Sequence, residues 1–446
     1  MLKYLPWILL LCLASSACAE PNWDAVRDDL IELLQALIHT DTQNPPGNEL
    51  AACRVLEAFF EEEGIRHRTY KGDEKGRGNL LARLHGTGAA QPVLLVAHTD
   101  VVPFDSTEWS VPPLSGEIRD GYLYGRGALD MKGMLAVEAM TLALLKRENV
   151  PLQRDVLLLA TAAEETGGSQ GVGWMLERHR EELDAAFALN EGGRIMVRDG
   201  RPLYVAVQTE EKVAYNVRLV ARGTTGHASV PRIDNPIFAL ARALAKIEYR
   251  ATPPQLDPVT RAFFQALAPL DSTVQWVNGT VRTDNPVYLA LLTNAVSPTL
   301  LESGFKTNVI PPYAAVNLNC RLLPSQNVDA FVDSLRTWAG PGPYEFHYNA
   351  KSAPPPASSV DGAGFILIEQ VCGEMFPGVP VLPYLSPGAS DGTRLRRAGI
   401  PTYGLLPFPL EESETGYFHG KDERVSLEAL MTGLKLVYRV AELAGK

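Results

Sequence analysis

The chain has 446 residues, of which 46% are hydrophobic and 21% are charged, and its formal net charge is −11. This length and apolar content allow a substantial buried core, which we expect to be divided between two domains. The acidic balance argues against nucleic acid or an anionic membrane surface as a partner, because both favour clustered lysine and arginine. Beyond the N-terminal region, no segment is continuously apolar enough to predict a transmembrane helix.

The first 19 residues have the pattern of a secretory signal peptide. A lysine precedes an apolar stretch over residues 5–13, and small residues follow, with Ala17, Cys18 and Ala19 as an Ala-x-Ala cleavage site. We therefore predict export to the periplasm or to the outside, with cleavage after Ala19. Lipid attachment at Cys18 is an alternative, which is disfavoured because Ser15 stands where a large aliphatic residue is expected.

Cleavage leaves three cysteines, Cys53, Cys320 and Cys372. An odd and widely spaced set is not a disulfide framework, and no C-x-x-C pair suggests a zinc ribbon. We predict that all three are small buried residues.

Strand and helix patterns alternate in the first half of the mature chain. The predicted elements are helical stretches over 23–60 interrupted by a turn at 42–48, strands at 79–84, 92–98, 155–163 and 185–190, and helices at 133–146 and 170–181. Because the run 156–160 is apolar on both faces, we predict a largely parallel α/β sheet covered by helices on both sides. Ligands of such sheets collect beyond the carboxyl ends of the strands.

The pattern changes near residue 212 to a β-α-β-β-α-β order. Its elements are strands at 212–221, 287–296, 314–323 and 344–349, and helices at 235–247 and 328–339. This order predicts a two-layer, ferredoxin-like α+β domain over 212–352. Because the pattern of the first half returns afterwards, we predict that this domain is inserted between two parts of a catalytic domain, 20–211 and 353–446.

The stretch 251–286 of the inserted domain is too long for a plain connection. Our hypothesis is that it lines an apolar acyl or side-chain pocket with Phe263, Phe264 and Leu267. Ordinary packing of these three residues is the alternative.

Histidine and carboxylate residues follow several of the predicted strands. In "LLVAHTDVVP", His98 and Asp100 stand two residues apart, so that their side chains point to the same side. This arrangement suits a metal-binding histidine that is oriented by a carboxylate.

Four further clusters carry the same residue types. They supply Asp130 in "GRGALDMKG", Glu164 and Glu165 in "ATAAEETGGS", Glu191 in "ALNEGG" and His419 in "GYFHGKDE". Singly, each residue is explained as a helix cap, a surface charge or a loop residue. Together with His98, they provide the ligands of two zinc-like cations, one carboxylate bridging, and leave a glutamate that can act as a general base on the attacking water.

The motif series resembles that of the zinc-dependent aminoacylase and carboxypeptidase family, which includes aminoacylase, carboxypeptidase S, glutamate carboxypeptidases, succinyl-diaminopimelate desuccinylase and carnosinase. The motifs are "HTDVVP", "GRGALDMKG", "EETGG", "NEGG", "GTTGHASVP", "KTNVIPP" and "HGKDERV", in the order of the family. The pattern is most similar to the branch of carboxypeptidase S and the N-acyl-amino-acid hydrolases.

The resemblance implies a catalytic domain that holds two Zn²⁺ ions per subunit, or Co²⁺ or Mn²⁺ in their place, and an inserted lid that mediates homodimerisation. It implies that one ion is bound by His98 and Glu191, the other by Glu165 and His419, with Asp130 bridging, Asp100 orienting His98, and Glu164 as base and proton shuttle.

The resemblance also implies roles for lid residues. His227 in "GHAS" matches a histidine that reaches the site of the partner subunit to stabilise an oxyanion, and Asn308 and Arg321 match positions that grip the substrate. Arg321 suits a free carboxylate because its guanidinium is a bidentate donor. Arg394 stands one position away from an arginine found in many members, so its role in substrate binding stays open.

The predicted reaction is hydrolysis of an amide bond next to a free carboxylate, in a peptide or an N-acyl amino acid. A serine hydrolase that uses Ser169 in "GGSQG" is one alternative. A peptide-binding protein that keeps this scaffold without catalysis is the other.

Overall fold

A computed structural model describes residues 21–248, 250, 252–349 and 354–446. The predicted signal peptide, including Cys18, lies outside the described residues. In these ranges, no helix combines the length and the apolar character that crossing a membrane requires. Cys53, Cys320 and Cys372 are buried and unpaired, as predicted.

The helices and short strands alternate along the chain. The helices are α1 (Trp23–His39), α2 (Glu49–Glu62), α3 (Lys132–Arg147), α4 (Val172–Arg178), α5 (Pro236–Glu248), α6 (Pro258–Leu267), α7 (Pro286–Leu292), α8 (Val328–Ala339), α9 (Ala363–Met375), α10 (Gly392–Arg397) and α11 (Leu427–Gly445). The strands are β1 (Arg66–Lys71), β2 (Gly78–Leu84), β3 (Val93–His98), β4 (Ile118–Arg119), β5 (Tyr122–Tyr124), β6 (Val156–Thr161), β7 (Phe187–Arg198), β8 (Arg201–Glu211), β9 (Val213–Arg222), β10 (Gly226–His227), β11 (Val274–Val277), β12 (Thr280–Thr283), β13 (Ala295–Ser303), β14 (Val309–Ile310), β15 (Tyr313–Leu322), β16 (Tyr344–Tyr348), β17 (Val381–Ser386), β18 (Thr402–Glu411) and β19 (Arg424–Ser426).

The main sheet has eight strands in the order β1-β2-β6-β3-β7-β18-β8-β17. Its centre, β6-β3-β7-β18, is parallel, whereas β2 and β8 run antiparallel to their neighbours in this centre. Every residue of β3 and β6 is buried, because α1, α3 and α11 cover one face and α4 and α10 the other. The predicted α/β sheet with helices on both sides is confirmed.

A buried lysine joins α1 to the start of α3, close to the loop that carries Asp130. The Nζ atom of Lys132 donates hydrogen bonds to the carbonyl oxygens of Leu37, at 2.9 Å, and Thr40, at 2.8 Å. These carbonyls belong to the end of α1, where the last acceptors have no partner in a following helical turn; the carbonyl of Leu37 also accepts from the backbone N–H of Thr40, at 3.2 Å. Burial lowers the pKa of Lys132 to about 7, so the hydrogen bonds to carbonyls are what hold this side chain in the interior.

The second sheet has the order β13-β15-β9-β16 and is antiparallel throughout. Helices α5 and α8 pack on one face of it, which confirms the predicted two-layer α+β domain. The main sheet ends its strand β8 at Glu211, and β9 of the second sheet begins at Val213. We propose that the catalytic domain comprises residues 20–211 and 353–446 and that the inserted domain comprises residues 212–352.

One predicted strand of this domain is wrong. Residues 286–292 form α7, and the strand β13 begins only at Ala295. The helix forms because Asn285 accepts a hydrogen bond from the backbone N–H of Val287 and Pro286 occupies the first turn, where its missing N–H costs nothing. A short apolar run alone does not distinguish a strand from a buried helix.

The stretch 251–286 contains α6 and the β11-β12 hairpin, and it packs against β8 and β17 of the main sheet. Phe263, Phe264 and Leu267 are at most 1% exposed and form a core with tyrosines of those strands. The hypothesis that these three residues line a pocket is therefore wrong, and the packing alternative holds.

Candidate metal centre

Five of the predicted ligands meet at the carboxyl ends of the central strands. His98 is the last residue of β3, Asp130 precedes α3, Glu165 lies in a 3-10 turn after β6, and His419 lies in the loop before β19. Glu191 differs from the prediction, because it lies inside β7 and not after it.

The position of Glu191 follows from an irregularity in β7. Pairing with β3 stops at Leu189, and the register with β18 shifts immediately afterwards. Gly192 has a φ of 115°, and a Cβ atom there would lie 2.2 Å from Gln208. Only glycine fits this position, and the backbone can therefore turn the carboxylate of Glu191 towards the other ligands.

Asp130 is shared by two groups of candidate ligands. Its Oδ1 atom lies 2.9 Å from Nε2 of His98, which is 3.8 Å from Oε1 of Glu191. Its Oδ2 atom lies 3.1 Å from Nε2 of His419, which is 3.2 Å from Oε1 of Glu165. In each group the three ligand atoms lie within 4.8 Å of one another, so the carboxylate offers one oxygen to each of two cations.

The charges of the site match divalent cations. Burial, and then the neighbouring carboxylates, raise the pKa of Glu164 and of Glu191 well above the ordinary value. The nearby Asp130 and Glu165 raise the pKa of His419 to about 10. Burial lowers the pKa of His98, but the hydrogen bonds to Asp100 and Asp130 outweigh it and leave that pKa well above its usual range. The acidic groups therefore select positive charge at this point of the fold.

The donor set fits zinc. Each group combines an imidazole nitrogen with carboxylate oxygens, which are zinc ligands. Oε1 of Glu165 is buried and accepts no well-aligned hydrogen bond among the described residues, although Nε2 of His419 is 3.2 Å away. A buried oxygen left without a donor is what a metal ligand requires.

Asp100 supports both histidine and glutamates. Nδ1 of His98 is hydrogen-bonded to the backbone oxygen of Asp100, at 2.8 Å. The carboxylate of Asp100 lies farther from this nitrogen, at 3.5 Å. The fully buried carboxylate instead accepts from the backbone N–H groups of Glu164, at 3.0 Å, and Glu165, at 3.2 Å, and from the side chain of Asn44, at 2.7 Å. Asp100 therefore fixes the turn that carries the two glutamates as well as the histidine.

A second support, Arg126 with Glu423, was not predicted from the sequence. The carboxylate of Glu423 is fully buried, and it accepts from the backbone N–H groups of Gly127, Leu129 and Asp130 at 2.8–3.0 Å and from Arg126 at 2.7 Å.

Arg126 extends this support to the other metal-ligand loop. Its Nη2 atom donates to the backbone oxygens of His419, at 3.2 Å, and Gly420, at 2.9 Å. The ion pair of Arg126 and Glu423 therefore joins the loop of the shared aspartate to the loop of the exposed histidine.

A cavity of about 790 Å³ lies over these ligands. Glu164 lines it without belonging to either ligand group, and Arg321 reaches it from the second sheet. Arg394 also lines it, with its guanidinium donating to the carbonyl of Gly167 at 2.6 and 3.1 Å. This contact holds the loop after the glutamate pair, in the same wall of the cavity.

Asp391 is a further buried acid of the cavity, and it was not predicted as a site residue. It is 3% exposed and accepts a hydrogen bond from Thr161 at 2.7 Å, and burial raises its pKa to about 7. The only sequence indication was its place in "GASDG", after an apolar run.

Four of the predicted residues are absent from the cavity lining. His98 and Asp100 are buried beneath it, whereas two residues of the inserted domain lie away from it. His227 and Asn308 are exposed neighbours on the β10-β14 pair of the inserted domain, where Ala228 N–H donates to the carbonyl of Asn308 at 3.0 Å. The ring of His227 is bonded to Ser229. Ser169 is exposed, and no histidine is hydrogen-bonded to it among the described residues, so the structure does not form a serine nucleophile there.

Comparisons with known proteins place this site in a family. Residues 94–443 match the model of peptidase family M20/M25/M40. The N-fatty-acyl-amino acid synthase/hydrolase PM20D1 of Bos taurus is 29% identical over 409 residues, covering 86% of this chain and 80% of its own. The probable carboxypeptidase S-like 2 of Dictyostelium discoideum is 27% identical over 359 residues, which cover 76% of this chain and 69% of that relative.

The fold is shared with solved structures. The M20 family metallo-carboxypeptidase Sso-CP2 of Sulfolobus solfataricus superposes with a TM-score of 0.71 at 20% identity, covering 95% of this chain and 99% of its own. The predicted family and branch are confirmed. The chain is a metal-dependent hydrolase and belongs to peptidase family M20/M25/M40.

Proposed function

We propose that this protein is an exported di-zinc hydrolase that cleaves N-acyl amino acids, or peptides with a free C-terminal carboxylate. The observation that carries the proposal is the shared carboxylate of Asp130, which presents one oxygen to each of two ligand groups. A single-metal site or a surface cluster has no need of this geometry.

The residues divide the chemistry as follows. The two ligand groups would hold two zinc ions, which would supply Lewis-acid polarisation of the amide carbonyl and a water of lowered pKa. Glu164 takes the proton of the attacking water and returns it to the leaving amine, since it lines the cavity and is free of both ligand groups. Its turn is fixed by Asp100, so the carboxylate is held in place before the substrate arrives.

Arg321 supports the preference for a substrate with a free carboxylate. It comes from the inserted domain, and its Nε atom is held by Asn319 at 3.0 Å, which leaves the other guanidinium nitrogens for a carboxylate. The names of the Bos taurus and Dictyostelium relatives, an N-fatty-acyl-amino acid hydrolase and a carboxypeptidase, also describe substrates with this group.

The test is a mass-spectrometric screen of the purified protein with N-acyl amino acids and N-blocked dipeptides. We expect hydrolysis that stops when a chelator removes the metal and returns when Zn²⁺ is added. Stable binding of these compounds by the zinc-loaded protein, without cleavage, would instead support the peptide-binding alternative. Inhibition by a fluorophosphonate with no effect of the chelator would support Ser169.

We also propose a homodimer through the inserted domain, in which each subunit donates His227 and Asn308 to the cavity of its partner. Both residues lie outside the cavity of their own chain. Strand β13 is one of the two edge strands of the sheet, and Leu300 (71%) and Leu301 (73%) are exposed on it, with Phe305 (76%) just after it. Two further large apolar side chains of the inserted domain, Ile233 (99%) and Phe238 (62%), are also exposed. An open edge beside such a patch is typical of a protein interface.

Mixing two inactive variants tests this donation. We expect His227→Ala and Glu164→Gln to be inactive alone and to regain about a quarter of wild-type activity when mixed and allowed to exchange subunits. The reason is that half of the dimers are then mixed, and each mixed dimer has one complete site. No recovery in a preparation whose light scattering shows exchanged dimers would mean that His227 does not act across the interface.

A further inference from the structure

A small second cavity adjoins the cavity of the metal centre. It measures about 30 Å³, and its walls include three tyrosines, Tyr204, Tyr288 and Tyr384. Arg194 and Thr415 line both this cavity and the large one. The small cavity is therefore a continuation of the catalytic cavity behind Arg194.

Arg194 is a half-buried cation in the wall of both cavities. It lies on β7 three residues after Glu191, and its guanidinium donates a long hydrogen bond to the hydroxyl of Tyr384, at 3.4 Å. Among the described residues, no carboxylate lies within the 4 Å of an ion pair with it. Glu412, which also lines the small cavity, is instead paired with Arg198 at 3.5 Å. A cation removed from water without a partner is costly, which favours an anion supplied from outside the chain.

Tyr384 supplies a second donor at the same point. Its side chain is 3% exposed, its ring centre lies 5.6 Å from the guanidinium carbon of Arg194, and its hydroxyl accepts the contact from Arg194. In the described ranges, no acceptor is hydrogen-bonded to the Tyr384 hydroxyl proton. Tyr204 and Tyr288 form the wall of the cavity beside Tyr384. The hydroxyl of Tyr288 already donates a hydrogen bond to Asp271, at 2.8 Å. A guanidinium and a phenolic O–H therefore lie side by side in the wall of the small cavity.

The position of Arg194 assigns it to the acyl side of the substrate. The free carboxylate of the substrate is already matched by Arg321, which belongs to the inserted domain, whereas Arg194 belongs to the main sheet. Both cations line the cavity together with the metal ligands, but they come from different sheets. A substrate whose carboxylate is held by Arg321 therefore leaves Arg194 for its acyl end.

We propose that Arg194 and Tyr384 form an acyl-group subsite that selects acyl groups ending in a carboxylate over plain alkyl groups of the same length. This inference rests on the proposed function, because it names the acyl half of the substrate that the metal centre cleaves. The carboxylate accepts from the guanidinium and from the phenol, and the methylene groups lie against the apolar lining of the cavity, where Leu406 and Leu410 contribute. Charge-assisted hydrogen bonds of this kind are the stronger ones in proteins.

The experiment compares two acyl groups of equal length on one amino acid, N-glutaryl and N-pentanoyl, on the zinc-loaded enzyme. We expect the wild-type kcat/KM to be at least about tenfold higher for the glutaryl compound, which corresponds to about 1.4 kcal/mol. Arg194→Met should reduce the ratio of the two kcat/KM values to about one, and Tyr384→Phe should reduce it severalfold. Arg201→Met, at an exposed arginine of the neighbouring strand β8, should leave the wild-type ratio in place.

Two results would overturn the proposal. The first is a wild-type enzyme that does not prefer the glutaryl compound. The second is a ratio that Arg194→Met leaves unchanged; where both rates fall equally in that variant, the role of Arg194 is structural. Cleavage of the pentanoyl compound by the wild type separates this failure from failure of the proposed function, since the amide hydrolysis would then stand without the subsite.

Discussion

Glu164→Gln should retain both metal ions and lower kcat by roughly 10²–10⁴-fold, the usual contribution of a general base. Glutamine keeps the size of the side chain, but its amide cannot take a proton from water. Glu164 belongs to neither ligand group and lies on the cavity wall, so the metal ions should not depend on it. The turn of Glu164 is held by its backbone N–H groups, which donate to the buried Asp100 and which the substitution leaves untouched.

The adjacent residue provides the matched control. Glu165→Gln makes the same chemical change one position along the chain, but this side chain belongs to the group of Asp130 and His419. We expect it to lose affinity for one of the two ions. Elemental analysis and steady-state kinetics on the two variants distinguish the roles, and normal turnover in Glu164→Gln would remove this residue from the mechanism.

The ligands could be predicted because the local pattern carries them. A histidine or an acid directly after a buried apolar run marks a strand end, and parallel strands place such ends on one edge. His98 and Glu165 follow this rule in the structure, since His98 ends β3 and Glu165 comes after β6. The alternation of side chains along a strand does not explain Glu164, because it lies with Glu165 in a 3-10 turn, where the turn geometry separates the two carboxylates.

The hydrophobic periodicity of the sequence predicted the wrong element or the wrong boundary at two places. Glu191 lies within a strand because β7 continues past the point where it leaves β3, and nothing local to its sequence marks that departure. The apolar run at 287–296 predicts a strand, but Asn285 and Pro286 begin a helix there. These capping residues are local to the sequence, and they decide the structure against the apolar pattern.

The supports of the ligands were missed for another reason. Arg126 and Glu423 are 297 positions apart, and each alone is an ordinary charged residue within a quoted motif. Only the folded chain shows that one fully buried carboxylate gathers three backbone N–H groups and a guanidinium. Asp391 and Arg194 likewise become visible only as linings of a cavity.

Glu423→Ala should lower the affinity for zinc by about 10–100-fold, the usual effect of removing a partner behind the ligands, and reduce turnover with it. The backbone N–H groups of Gly127, Leu129 and Asp130 would lose their acceptor, and Arg126 would lose its anion while buried. The loop that holds the shared aspartate is then free to move, which weakens both ion sites together. Zinc titration by calorimetry measures this effect directly.

Arg126→Met separates positioning from stability. Here Glu423 keeps its three backbone donors, so the loop of Asp130 stays in place, and the loop of His419 loses the contacts at 2.9 and 3.2 Å. We expect a selective weakening of the ion held by Glu165 and His419, whereas Glu423→Ala weakens both. A lower Tm of the metal-free protein with unchanged zinc affinities in both variants would show that the ion pair only stabilises the fold. If Arg126→Met lowers the affinity for one ion and Glu423→Ala lowers the affinity for both, the ion pair must set the positions of the ligands. A loss of stability alone would not distinguish between two ions that share a carboxylate.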